Sequence, residues 1–290
     1  FLDVIAKYNL PRFISAVGFL ARAIIKHQLR KKWGKVKTVE DVQNEVAHYL
    51  NKLVRRTTSN VTFSGLEALD PNQAYLFVSN HRDIVLDPAL VNWGLYQHKM
   101  KTVRIAIGDN LLQIPYITEL MRLNKSFIVK RSITARREKL SALQLLSKYI
   151  RHSIDDGHSV WIAQREGRAK NGIDETDTAV LKMLALAGRM EKESFATSLQ
   201  ALNPIPVSIS YEFDPCDLLK ARELAAQQLG EDYQKSDNED AISIITGLMG
   251  NKGRIQVSFG KELNAEVFAS AIDLAAEIDR QIVEGYACFP

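Results

Sequence analysis

Two apolar rhythms divide this chain. Over residues 39–56 the positions Val42, Val46, Tyr49, Leu50 and Leu53 recur every three or four residues, the period of one helix face. Beyond them come short runs of strand length at 57–64, 75–78, 102–107, 126–129, 159–163, 205–211 and 254–259. Helical spacing returns between these runs, at about 88–98, from 109 through 123 with a kink expected at Pro115, at 133–154, at 177–190, within 217–249 and at 265–284. Strands alternating with helices predict an α/β fold: a single mixed, mainly parallel sheet of about seven strands, with helices on both faces.

An earlier helical stripe precedes this unit. Leu10, Phe13, Ile14, Val17, Leu20, Ala21, Ile24 and Ile25 fall on one face, interrupted by Arg12, Arg22 and Lys26. The interruptions are too many for a bilayer span, and no small-residue pattern follows that would mark a cleaved signal peptide. The domain boundary is therefore placed after residue 56: an amphipathic helical segment over 1–56, then an α/β domain over 57–290.

Composition adds little, but the charge distribution changes the picture. The chain of 290 residues is 46% hydrophobic and 25% charged, which excludes a disordered or low-complexity class. Its net charge of +4 is uneven: no acid occurs from Val4 to Thr38, and residues 3–38 sum to +8, leaving −4 for the rest. The basic run Arg30-Lys31-Lys32-Trp33-Gly34-Lys35 follows the apolar stripe directly, a combination suited to lying on an anionic membrane surface. Residues 10–37 are thus expected to hold the protein peripherally at a membrane, and no nucleic-acid partner is implied. Only Cys216 and Cys288 are present, far apart and without histidines at ligand spacing. Neither a disulfide framework nor a metal site is expected, and a reducing compartment fits.

The candidate chemistry collects at three strand ends. The run at 75–78 opens into Ser79-Asn80-His81-Arg82-Asp83, with Asp87-Pro88 at the start of the next helix. Asp87 reads as N-cap and Pro88 as the first helical residue. The strand at 126–129 ends in Lys130-Arg131, and the one at 159–163 in Gln164-Arg165-Glu166-Gly167-Arg168, with Lys170 beyond. If these ends share one sheet edge, an imidazole, carboxylates and a cluster of fixed cations meet there. That suits a phosphate-bearing substrate, because guanidinium groups engage phosphate oxygens two at a time. Gly167 would let the backbone turn tightly beside it. Taken singly, each charged pair also suits a strand-end ion pair.

In that order these stretches resemble the conserved blocks of the glycerophosphate and lysophospholipid acyltransferases. Ser79-Asn80-His81 is similar to the first block, in which a histidine is followed by four residues and an aspartate; Ser126–Arg131 to the second; Gly157–Arg168 to the third; and Ile205–Ile209 to the fourth. Here Asp87 stands one residue further from His81 than the block's aspartate, and Asp83 much nearer.

The resemblance implies transfer of a fatty acyl group from a thioester, on coenzyme A or acyl carrier protein, to a glycerolipid hydroxyl. The expected acceptor is 1-acylglycerol-3-phosphate, at the cytoplasmic face of a membrane. His81 is then the general base, with Asp87, favoured for its cap position, or else Asp83 orienting it. Lys130, Arg131, Arg165, Glu166, Gly167, Arg168 and Lys170 form the substrate-binding shell. No cofactor beyond the thioester co-substrate is implied. A thioester or lysophospholipid hydrolase, and a non-catalytic membrane-binding relative, are the alternatives.

Overall fold

The structure, a computed structural model, describes residues 34, 37–109, 125–230, 233, 236 and 238–290. Apart from Gly34 and Asp109, the apolar stripe over 10–29, the basic run at 30–35 and the kinked helix expected over 109–123 lie outside the described residues.

Helix α1 (Val39–Thr57) starts at Thr38, whose hydroxyl accepts the Asp41 N–H while the Asp41 carboxylate accepts the Thr38 N–H. It runs past the boundary expected at residue 56. Val42 and Val54 are buried, and Val54 belongs to the domain core together with the half-buried Leu50 and Leu53. Tyr49, expected on the buried face, is exposed.

Strand β1 (Asn60–Ser64) is shorter than expected, because α1 takes its first residues. It ends at Gly65 with φ 82°, where a Cβ would stand 2.0 Å from the Phe259 carbonyl oxygen. Only glycine fits that turn.

The remaining strands are β2 (Leu76–Ser79), β3 (Arg104–Gly108), β4 (Ser126–Val129), β5 (Val160–Ala163), β6 (Pro204–Tyr211) and β7 (Arg254–Phe259). They form one seven-stranded sheet in the order β1-β7-β6-β2-β5-β3-β4. The five strands from β6 to β4 run parallel; β7 is antiparallel to β6, and β1 is parallel to β7. Proline is tolerated inside β6 because the Pro206 carbonyl accepts the Gly260 N–H, and the return bond that proline lacks falls where the β7 ladder ends.

Two cores cover the sheet. On one face lie Leu76, Val78, Val160 and Ile162, beneath helices α3 (Arg136–Asp155), α4 (Thr178–Leu184), α6 (Phe195–Gln200) and α9 (Ala271–Glu284). On the other lie Phe77, Trp161, Ile205, Val207 and Val257, against α1 and α2 (Leu86–Gln97).

The single helix expected at 177–190 is two short ones, α4 and α5 (Leu186–Met190), meeting at Ala185. The segment between β6 and β7 holds α7 (Asp217–Gln228) and α8 (Glu239–Met249). The closing helix begins at Ala271, not 265, capped by Ser270, with a single turn of 3-10 helix before it.

Candidate active site

Because five neighbouring strands run parallel, the ends of β2, β4 and β5 open at one edge of the sheet. His81 follows β2 there, Lys130 and Arg131 follow β4, and Arg165 to Lys170 follow β5. All of these residues except Ala169 line one cavity of about 440 Å³. Its walls are largely apolar, with Ile105, Ile107, Val129, Leu143, Ile162 and Met183 among them, and its charged lining is mostly cationic, with Glu166, Asp177 and Asp240 as the acids. Gly167 turns here with φ 79° and has open space where a Cβ would stand, so its backbone conformation, and not crowding, calls for glycine.

The two candidate aspartates have separate tasks. Asp87 is fully buried, and its Oδ2 lies 2.8 Å from His81 Nδ1. A carboxylate can only accept, so Nδ1 carries the proton and Nε2 is the ring nitrogen left for a substrate. The same Oδ2 accepts the Arg82 and Asp83 N–H groups at 2.6 and 2.9 Å. Oδ1 accepts the Tyr211 hydroxyl at 2.6 Å. Burial alone would raise the Asp87 carboxyl, but the His81 hydrogen bond and charge, with the Tyr211 and Asp83 donors, outweigh it and hold the group below the usual range.

Asp83 does not reach the ring. Its Oδ1 accepts the Val85 and Leu86 N–H groups at 2.9 and 2.7 Å, so Asp83 closes the N-terminus of α2. The cap assigned to Asp87 from the sequence is thereby corrected: α2 begins at Leu86, and Asp87 and Pro88 lie in its first turn. Burial and then the neighbouring Asp87 charge push the Asp83 carboxyl up. Its Oδ2 packs on α8, where a Cβ at Gly247 would come within 2.0 Å.

Of the expected substrate shell, Lys170 is engaged by Glu223 of α7 at 2.5 Å. Arg131 Nε stands 3.6 Å from Glu166 Oε1, with Glu166 70% exposed, a contact that solvent screens.

Several supporting residues escape a reading of the sequence. Tyr211 closes β6, whose run was legible without any hint of where the hydroxyl points. Trp161 of β5 sets its ring edge-on to His81, centroids 5.7 Å apart, and donates to Ser79 Oγ at 3.0 Å. Asp174 accepts from Arg82 Nη2 at 2.5 Å, from Asn80 at 3.3 Å and from the Tyr286 hydroxyl near the far end of the chain. Lys220 of α7 donates to the Arg82 carbonyl at 2.8 Å and to Asp214. The loop carrying His81 is thus held from four separate segments. Ser79 and Asn80 had a sequence signal, through their place beside His81.

The acyltransferase family model matches residues 60–208, just over half of the chain and all three charged strand ends. The chain belongs to the acyltransferase family. The fold is shared with the 1-acyl-sn-glycerophosphate (LPA) acyltransferase PlsC from Thermotoga maritima, at a TM-score of 0.54 and 13% identity, covering 100% of this chain and 97% of that one. The dihydroxyacetone phosphate acyltransferase of Oryctolagus cuniculus is 23% identical over 230 residues, which are 77% of this chain. The matched region spans about a third of the length of that relative, 32%. No described helix is long and apolar enough to cross a membrane.

Proposed function

We propose that this acyltransferase moves a fatty acyl group from a thioester of coenzyme A or acyl carrier protein to the hydroxyl of 1-acylglycerol-3-phosphate, giving phosphatidic acid. The observation that carries the reading is the His81–Asp87 pair, 2.8 Å apart, at a cavity with apolar walls and a mostly cationic charged lining.

An alcohol is a weak nucleophile near neutral pH, so its proton must be taken as it attacks. His81 Nε2 accepts that proton while the oxygen bonds to the thioester carbonyl carbon. Buried Asp87 stabilises the imidazolium that results and stays ionised itself. Collapse of the tetrahedral intermediate breaks the carbon–sulfur bond, and the departing thiolate takes the proton back from the ring. The products are an ester and a free thiol, with no acyl-enzyme. The acyl chain lies along the apolar wall, and Lys130, Arg131, Arg165 and Arg168 hold the acceptor's phosphate.

The two named relatives support a phosphate-bearing acceptor, since each name specifies a phosphate on a three-carbon backbone bearing a hydroxyl, although only one of them names an acylglycerophosphate. The basic stretch over 22–37 would keep the protein peripherally at the membrane surface, where such acceptors reside.

Arg131→Ala, Arg165→Ala and Arg168→Ala should each raise the acceptor KM by roughly tenfold, with a much smaller effect on the donor KM, because the lost charge-assisted contacts belong to one substrate. Steady-state kinetics with both substrates varied measures this. Equal effects on both KM values would assign the cations to a structural network.

A further inference from the structure

Asp87 receives four hydrogen bonds, and one of them comes from outside its own loop. His81 Nδ1 and the Arg82 and Asp83 N–H groups all meet Oδ2, whereas among the described residues Oδ1 takes the Tyr211 hydroxyl alone, at 2.6 Å. Tyr211 is the last residue of β6, the neighbour of β2 in the sheet, so its ring is fixed by a different strand from the one that carries the pair. Burial, then the negative charges of Asp87 and Asp83, push its hydroxyl well above the usual tyrosine range. The phenol therefore stays neutral and can only be the donor to this carboxylate.

We propose that Tyr211 is a positioning residue that holds the Asp87 carboxylate against His81 Nδ1 by donating to its far oxygen. The role rests on reading His81 and Asp87 as the base pair. Without that donor, Oδ1 would be a buried acceptor with no partner among the described residues, and the carboxylate would be free to turn away from Nδ1. The hydroxyl also ties β6 to the first turn of α2 and so fixes the carboxylate plane that Nδ1 must meet.

Other charges face the pair and remain constant in the test. They are Arg82 and Asp83 on the same loop, Asp214 beyond β6, Lys220 on α7, and Arg165 and Arg168 beyond β5. Changing only the phenol isolates its part.

The test follows the His81 Nδ1–H resonance by NMR at one fixed pH, assigned by comparison with His81→Ala, in the wild type, in Tyr211→Phe and in protein carrying 3-fluorotyrosine at position 211. With the donor lost, that proton should exchange with solvent roughly tenfold faster, because the carboxylate is no longer held against the ring. Fluorotyrosine keeps the donor and should keep the slow exchange. In acyl transfer, Tyr211→Phe should lower kcat by roughly tenfold with both KM values nearly unchanged, because the lost contact touches neither substrate. Wild-type exchange in Tyr211→Phe, or equally fast exchange in the fluorinated protein, would overturn the proposal. If Tyr211→Phe does not fold, 4-fluorophenylalanine at position 211, which fills the space of the hydroxyl without donating, takes its place. The NMR measurement does not depend on turnover: a wild type without acyl transfer would remove the reading of the pair as a base, while proton exchange alone judges Tyr211.

Discussion

Asp83 and Asp87 stand four residues apart, both buried, and their carboxyls move in opposite directions. Asp83 is raised, so the stability it contributes is complete below its unfolded-state value and is lost as pH rises through the folded one. Asp87 is lowered, so its contribution is present above the unfolded-state value and is lost as pH falls through the folded one. In Asp83→Asn the amide oxygen still accepts the Val85 and Leu86 N–H groups, and a buried charge is gone. Near neutral pH the Tm should hold or rise, with acyl transfer within a fewfold of wild type. Asp87→Asn keeps the shape but stabilises an imidazolium poorly, and should lose activity by at least about a hundredfold. Thermal melts and turnover of the two variants check this, and the reverse order of activity loss would contradict the pairing. The sequence favours Asp87 over Asp83 as the partner of His81, but on a cap position that the structure gives to Asp83. Burial under β6 and α8 separates them, and that is a tertiary fact.

Among elements, those legible in the sequence were the ones with an unbroken or alternating apolar run or a long periodic stretch. Strands β4 and β7 lie where their runs placed them, and α3 differs only at its ends. Six-residue α6 was missed because it offers less than two turns of periodicity; its signal was Ser194, whose hydroxyl accepts the Thr197 N–H as an N-cap. Helix α8 was seen only as part of a polar and helical stretch, yet it backs the site through Gly247. An alanine inside a helix normally gains about 1 kcal/mol over glycine. Here its Cβ would meet Asp83 Oδ2 at 2.0 Å, and moving that carboxylate disturbs the cap of α2 and the loop bearing His81. Gly247→Ala should therefore destabilise by about 1–3 kcal/mol and reduce turnover, as read by denaturant unfolding and assay. A stabilised, fully active variant would show that α8 does not bear on Asp83.

At the scale of the molecule, the sheet order does what no local pattern discloses. His81 and Arg168 are separated by more than eighty residues, and the β2–β5 pairing, with Ser79 opposite Ala163, brings their loops together. The three charged strand ends were legible one by one. Their meeting at one cavity follows from five parallel strands, and the sequence could state it only as a condition. Trp161, Asp174 and Tyr286 act through contacts between distant segments, which is why no motif announced them. The central claim is that His81 takes the acceptor's proton in direct acyl transfer. The measurement that tests it most directly follows labelled acyl groups from an acyl-coenzyme A thioester into lipid product, with 1-acylglycerol-3-phosphate as acceptor, for wild type and His81→Ala. The account predicts labelled phosphatidic acid from the wild type and a loss of about a hundredfold or more in the folded variant. Near wild-type product formation by His81→Ala, or release of free fatty acid in place of phosphatidic acid by the wild type, would contradict it.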